Sequence, residues 1–143
     1  MEQPDKRITE FIAKHHVLTL ATEKEHKPWC ATCFYSYRSE DQTLIFTSDM
    51  PTRHITEILL NPFVAGSIVL ETKIIGKIQG IQLEGKIIKP SEKDEGTYKR
   101  HYISRFPFAI LNNSSIWVLQ LTYLKFTDNR LGFGKKLIWE NTL

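Results

Sequence analysis

Residues 43–62 read TLIFTSDMPTRHITEILLNP, and the rest of the chain is organised around them. Leu44, Ile45, Phe46 and Thr47 form the short apolar, β-branched run of a buried strand. Ser48 and Asp49 break it. Pro51 stands where a helix begins, because the first helical turn needs no N–H from it. From Thr52 onward Ile55, Ile58 and Leu59 share one helical face, and Arg53 faces Glu57 one turn later. Asn61 ends the helix, since Pro62 disfavours helical geometry in the residue before it. The stretch is therefore strand, hydroxyl-rich turn, short helix. The free N–H groups of a helix start attract anions. Three hydroxyls (Thr47, Ser48, Thr52) and two basic residues (Arg53, His54) surround this one. Two readings stand side by side. Arg53 grips a phosphate through paired hydrogen bonds, or Ser48 or Asp49 caps the helix and Arg53 only pairs with Glu57.

At 143 residues the chain has the length of one domain. With 41% apolar and 24% charged residues it has the composition of a globular protein with a real core. A net charge of +3 is too small to argue for nucleic acid. No apolar run reaches membrane-spanning length, and the charged start MEQPDKRITE lacks the pattern of a signal peptide, so a cytoplasmic location is expected. Cys30-Ala31-Thr32-Cys33 matches C-x-x-C on paper. The surrounding WCATCFYSY has strand composition, and residues three apart on a strand point to opposite faces. Neither a disulfide nor a metal site is expected from the pair.

Outward from the central stretch, residues 5–15 read as an amphipathic helix with Ile8, Phe11 and Ile12 on one face. His15 and His16 lead into a strand over 17–22, and a helix end that favours positive charge accounts for them better than a metal. A charged turn over 23–27 precedes a strand over 29–37. Residues 63–70 read as a mostly buried strand, and residues 77–88 as a strand in which Gly80 and Gly85 mark bends or bulges. There Ile81, Leu83 and Ile87 alternate with Gln82, Glu84 and Lys86. A polar helix capped by Ser91 runs to about Arg105, with Arg100, His101 and Arg105 read as a solvated face. A turn over 112–115 leads to an aromatic-rich strand over 116–126 that places Trp117, Leu119, Leu121 and Tyr123 on one face. The end, TDNRLGFGKKLIW, is a glycine loop and a short strand. Arg130, Lys135 and Lys136 in that loop suit an anion or a plain hairpin, and the spacing is not that of a P-loop. Short-turn succession of strands favours an antiparallel, mainly β barrel with peripheral helices.

The pattern TLIFTSDMPTRHITEILLNPFVAG resembles the core of the pyridoxamine 5′-phosphate oxidase-like, FMN-binding split barrels, with Phe46-Thr47, Thr52-Arg53-His54 and Asn61-Pro62 at the matching positions. TDNRLGFGKKLIW resembles the ending of the YhbP-like branch of that family. The resemblance implies a six-stranded antiparallel split barrel that forms a homodimer, with FMN at the subunit interface. It places Phe46, Thr47 and Ser48 beside the isoalloxazine or ribityl chain, and Thr52, Arg53 and His54 at the phosphate. It lays the second strand, with Thr32 and Cys33, along the flavin ring. Gln82 becomes a polar contact from the barrel wall, and Trp139 a contact at the ring edge.

The departures narrow the function. The second strand reads Ala31-Thr32-Cys33-Phe34-Tyr35-Ser36 in place of the Arg-x-x-Leu-Leu-Lys type, Gln79-Gly80 stands where an Arg-Gln pair is usual, and the substrate-binding C-terminal segment is missing. His54 replaces a second phosphate cation, and its charge is partial near neutral pH. Vitamin B6 oxidation is not expected, and weaker FMN binding is. Two classes remain: a flavin-dependent oxidoreductase of unknown small-molecule substrate, and a non-catalytic flavin- or haem-binding protein on the same barrel.

Overall fold

A computed structural model describes residues 1–111 and 114–141. Seven strands and three α-helices follow in the order α1 (Lys6–Lys14), β1 (Val17–Lys24), β2 (Lys27–Arg38), β3 (Thr43–Ser48), α2 (Arg53–Leu60), β4 (Phe63–Val69), β5 (Gln79–Ile88), α3 (Glu92–Arg105), β6 (Ser115–Asp128) and β7 (Lys136–Glu140). All pairings are antiparallel, in the order β3-β2-β1-β4-β5-β6-β7, and β3 also pairs with β6. That last pairing closes β1 to β6 into a six-stranded barrel, and β7 adds to the open edge of β6. No helix among the described residues is long and apolar enough to cross a membrane. The expected turn over 112–115 falls partly outside the described residues.

The barrel core follows from strand alternation. Leu18 and Leu20 of β1, Tyr35 of β2, Leu44 and Phe46 of β3, Ile81 and Leu83 of β5 and Leu119, Leu121, Leu124 and Phe126 of β6 all point inward and are buried. Helix α1 caps one side of this core with Ile8, Phe11 and Ile12, and Asp5 caps its first turn by accepting from the Arg7 N–H at 2.8 Å. His15 finishes the helix with a ring nitrogen 2.9 Å from the Phe11 carbonyl, the helix-end role expected of it. Ser91 caps α3 as expected, accepting from the Asp94 N–H at 3.3 Å.

Four local expectations change. Helix α2 starts at Arg53 rather than at Pro51, because the Thr52 N–H is already used in a turn to the Asp49 carbonyl at 3.1 Å. β4 is not mostly buried: Val64 and Ile68 point inward while Phe63, Ala65 and Val69 are exposed. Tyr123 does not continue the face of Leu119 and Leu121. Glu84 pairs with Tyr123 but Gly85 pairs with Leu121, so Thr122 is an extra residue and the alternation of β6 resets to Leu124 and Phe126. The basic residues of α3 are not a uniformly solvated face. The Arg105 guanidinium donates to the His15 carbonyl at 2.6 Å, and His101 Nδ1 lies 3.1 Å from Ser36 Oγ, leaving Arg100 exposed.

A seam in the barrel wall and the start of helix α2

The barrel wall opens between β2 and β3. Their ladder runs from Arg38↔Thr43 to Tyr35↔Phe46 and stops. Beyond that point β2 continues to Lys27 paired only with β1, and β3 continues to Ser48 paired only with β6. The backbone of Thr32, Cys33 and Phe34 therefore borders a seam whose other lip is Thr47 and Ser48. Tyr102 of α3 and Phe106, which caps its end, approach it from outside. The Thr47 hydroxyl lies 3.3 Å from the Tyr102 hydroxyl, and the half-exposed Phe34 ring stacks on Phe106 with centroids 5.7 Å apart.

Helix α2 begins at the end of this seam, and no side chain caps it. Ser48 is instead paired with His54 Nε2, and the Asp49 carboxylate accepts from Ser114. Capping by Ser48 or Asp49 therefore does not occur, although the Arg53–Glu57 pair does. Thr52 Oγ1 is buried and has no hydrogen-bond partner among the described residues. A buried hydroxyl without a partner is rare, because its desolvation is left uncompensated.

Arg53 is held on two sides. Its Nε donates to Glu57 Oε1 at 3.2 Å, and its guanidinium carbon lies 4.1 Å over the Trp29 ring. The Nη groups have no hydrogen-bond partner among the described residues, and the side chain is half-exposed. Glu57 is itself buried, and its other oxygen accepts from the Thr22 hydroxyl at 2.8 Å. That bond first, and Arg53 second, hold the Glu57 carboxyl below its ordinary range. His54 shifts the other way for a basic group. Burial pushes its pKa down against the opposing pull of Glu57, which favours the neutral imidazole.

Of the residues singled out in the sequence, the fold gathers Thr32, Cys33, Thr47, Ser48, Thr52, Arg53 and His54 around the seam and the helix start. Cys33 and Phe46 turn their side chains into the core, so they border the seam through their backbone. Burial raises the Cys33 thiol to about 11, while Cys30, on the opposite face, is exposed. The two sulfurs thus face apart, and no group of potential metal ligands forms among the described residues. Gln82 lies elsewhere, exposed on β5 in a shallow cleft with Cys30 and Tyr123. Trp139 is also apart, buried on β7 with its indole N–H donating to the Glu2 carbonyl at 2.8 Å. In the glycine loop, the Arg130 guanidinium forks onto the buried Asp128 carboxylate at 3.0 and 2.8 Å, which favours the hairpin reading of that loop. Sequence reasoning missed Trp29 and Thr22 as supports of Arg53. Only Glu57, at helical spacing, carried a signal.

On the other flank of α2 lies an apolar cleft of about 430 Å³ lined by Met50, Ile58, Leu59, Ile88 and Trp117. The Trp117 indole N–H donates to the Ser48 carbonyl at 3.2 Å, so cleft and seam share the end of β3. The site thus combines an unpaired strand edge, an apolar cleft, and hydrogen-bond donors that lack an acceptor. That is the donor set of an anion-bearing ligand with an apolar body.

No family model matches the chain. It is 38% identical over 133 residues to a UPF0306 protein of Photorhabdus laumondii, covering 93% of both chains. Among solved structures it resembles a haem-binding protein from Mycobacterium smegmatis, with a TM-score of 0.78 and 16% identity over 98% of this chain; it spans 60% of that protein's length. It also resembles an FAD-binding protein from Mesorhizobium loti, with a TM-score of 0.71 and 16% identity over 84% of this chain and 91% of the other.

Proposed function

The chain belongs to the UPF0306 family, and from its barrel and the donors at the start of α2 we propose that it is an FMN-binding flavoprotein, a cytoplasmic homodimeric oxidoreductase acting on a small molecule. The observation that carries this reading is the buried Thr52 hydroxyl beside an uncapped helix start and the Arg53 Nη groups, none of them with a hydrogen-bond partner among the described residues. A phosphate monoester supplies the acceptors that all three lack. Flavin chemistry, hydride or electron transfer, belongs to the cofactor when bound. The residues of the chain bind and orient it: Thr52 and Arg53 hold the phosphate, Thr47 and Ser48 flank the ribityl chain, and the backbone of Thr32 and Cys33 meets the ring edge. Neutral His54 holds Ser48 rather than acting as a second cation. The two structural neighbours, a haem-binding and an FAD-binding protein, support a flavin or haem in this barrel.

The haem alternative requires an axial ligand. Beside the seam, the His54 Nε2 that would serve is already engaged by the Ser48 hydroxyl, which disfavours it there. The test is an absorption spectrum of purified protein, taken with and without added FMN after gel filtration. Retained flavin bands support the proposal. A Soret-type band, or no flavin retained at saturating FMN, overturns it.

A further inference from the structure

The β1–β2 hairpin sets Lys24 directly opposite Lys27 in the ladder. Like charges in directly opposed positions of an antiparallel pair are destabilising. Neither lysine has a carboxylate within ion-pair distance among the described residues. Both line a cleft of about 290 Å³ between the hairpin and α2, and the third cation in its wall is Arg53. The two glutamates there offset part of this charge: Glu57 pairs with Arg53 and also feels Lys24, while Glu25 stands exposed at the tip of the turn in the left-handed region, φ 54°, so three cations against two carboxylates leave the cleft net positive. Arg53 lines this cleft and directly follows Thr52, whose buried hydroxyl has no partner among the described residues, so the two groups of donors meet at the first residue of α2.

Resting on the flavin reading above, we propose that the hairpin cleft is a second phosphoryl subsite that lets the same site also take the dinucleotide flavin FAD, its FMN half lying as proposed above. The first phosphate meets Thr52 and the start of α2. The second lies among Lys24, Lys27 and Arg53, which makes a dinucleotide flavin a fitting ligand as well. The opposed lysines, costly in the free protein, are relieved by the anion they share.

The experiment titrates FMN, FAD and ADP separately into the parent protein and into the K24Q/K27Q double variant, by calorimetry. Both positions flank an exposed hairpin turn, and circular dichroism checks that the variant is folded. The expected result is FAD binding roughly tenfold or more tighter than FMN to the parent, the gain falling to nothing in the variant while FMN affinity is unchanged. Equal affinities for FAD and FMN in the parent overturn the proposal. An equal weakening of both flavins in the variant also overturns it, since the cleft then holds the mononucleotide's own phosphate. ADP binding that is lost in the variant, with no flavin bound to either protein, retains the subsite and removes the flavin reading. Flavin binding that ignores the variant, without ADP binding, does the reverse.

Discussion

Arg53 owes its geometry to two neighbours, Glu57 on its Nε and Trp29 on its face, and its outer edge is left for a ligand. Arg53→Ala should raise the FMN dissociation constant by about 10- to 100-fold, the loss of roughly 1.5–3 kcal/mol of charge-assisted hydrogen bonding. Arg53→Lys should fall between, because an ammonium keeps the charge without the fork. Quenching of flavin fluorescence reads both, and an unchanged affinity in Arg53→Ala would remove the phosphate from this residue. His54 carries a pH signature of its own. Its folded-state pKa is lowered by burial, with Glu57 opposing the shift. Below the unfolded value of about 6.5 the unfolded chain takes up a proton that the folded chain refuses, so stability rises with pH there and is complete above it. Thermal denaturation should therefore show the midpoint falling as pH drops from about 6.5, and His54→Asn should flatten that slope. A midpoint equally steep in the variant would assign the effect to another group.

At the scale of elements, most of the barrel was legible because strand alternation is a local property. Residues 43–62 announced β3 and α2 through a buried run, a hydroxyl turn and a pre-proline stop, and the structure moves the helix start by only two residues. The alternation along β5 was legible for the same reason, since Ile81, Leu83 and Ile87 are all buried. What stayed hidden is set by partners distant in sequence. Nothing local in 116–126 shows that Thr122 is an extra residue, because the bulge exists only where β6 leaves β3 for β7. The clamp on Arg53 likewise needs Trp29 and Thr22, which other strands deliver. Gly85 sits opposite that bulge. A methyl group there would stand 2.6 Å from Leu119 Cδ1 and run into the Gln120 carbonyl. Gly85→Ala should lower stability by about 1–3 kcal/mol, an overpacking cost, as read by urea denaturation. A neutral outcome would mean that the bulge yields without cost.

At the scale of the whole molecule, several large apolar side chains stand exposed near one junction. The turn before β5 and the glycine loop meet through the Asn129 side chain, which donates to the Ile75 carbonyl at 2.9 Å. Around that junction Ile75 is 63% exposed and Phe133 81% exposed, with Val69 and Ile74 exposed nearby in sequence. Apolar patches of this kind mark contact surfaces. We propose that a homodimer covers this surface, and that residues outside the seam, such as the exposed Gln82, would reach the site from a second copy. Sedimentation equilibrium should give twice the 16.7 kDa chain mass. Ile75→Glu combined with Phe133→Glu places two charges where an apolar contact would form, at positions too exposed to matter to the core. If that junction is the dimer surface, the variant should sediment as a monomer, retain its circular dichroism and release FMN on gel filtration. A monomeric parent that binds FMN would show that one copy completes the site. A dimeric variant would move the interface to the exposed face of β4, where Phe63 and Ala65 lie.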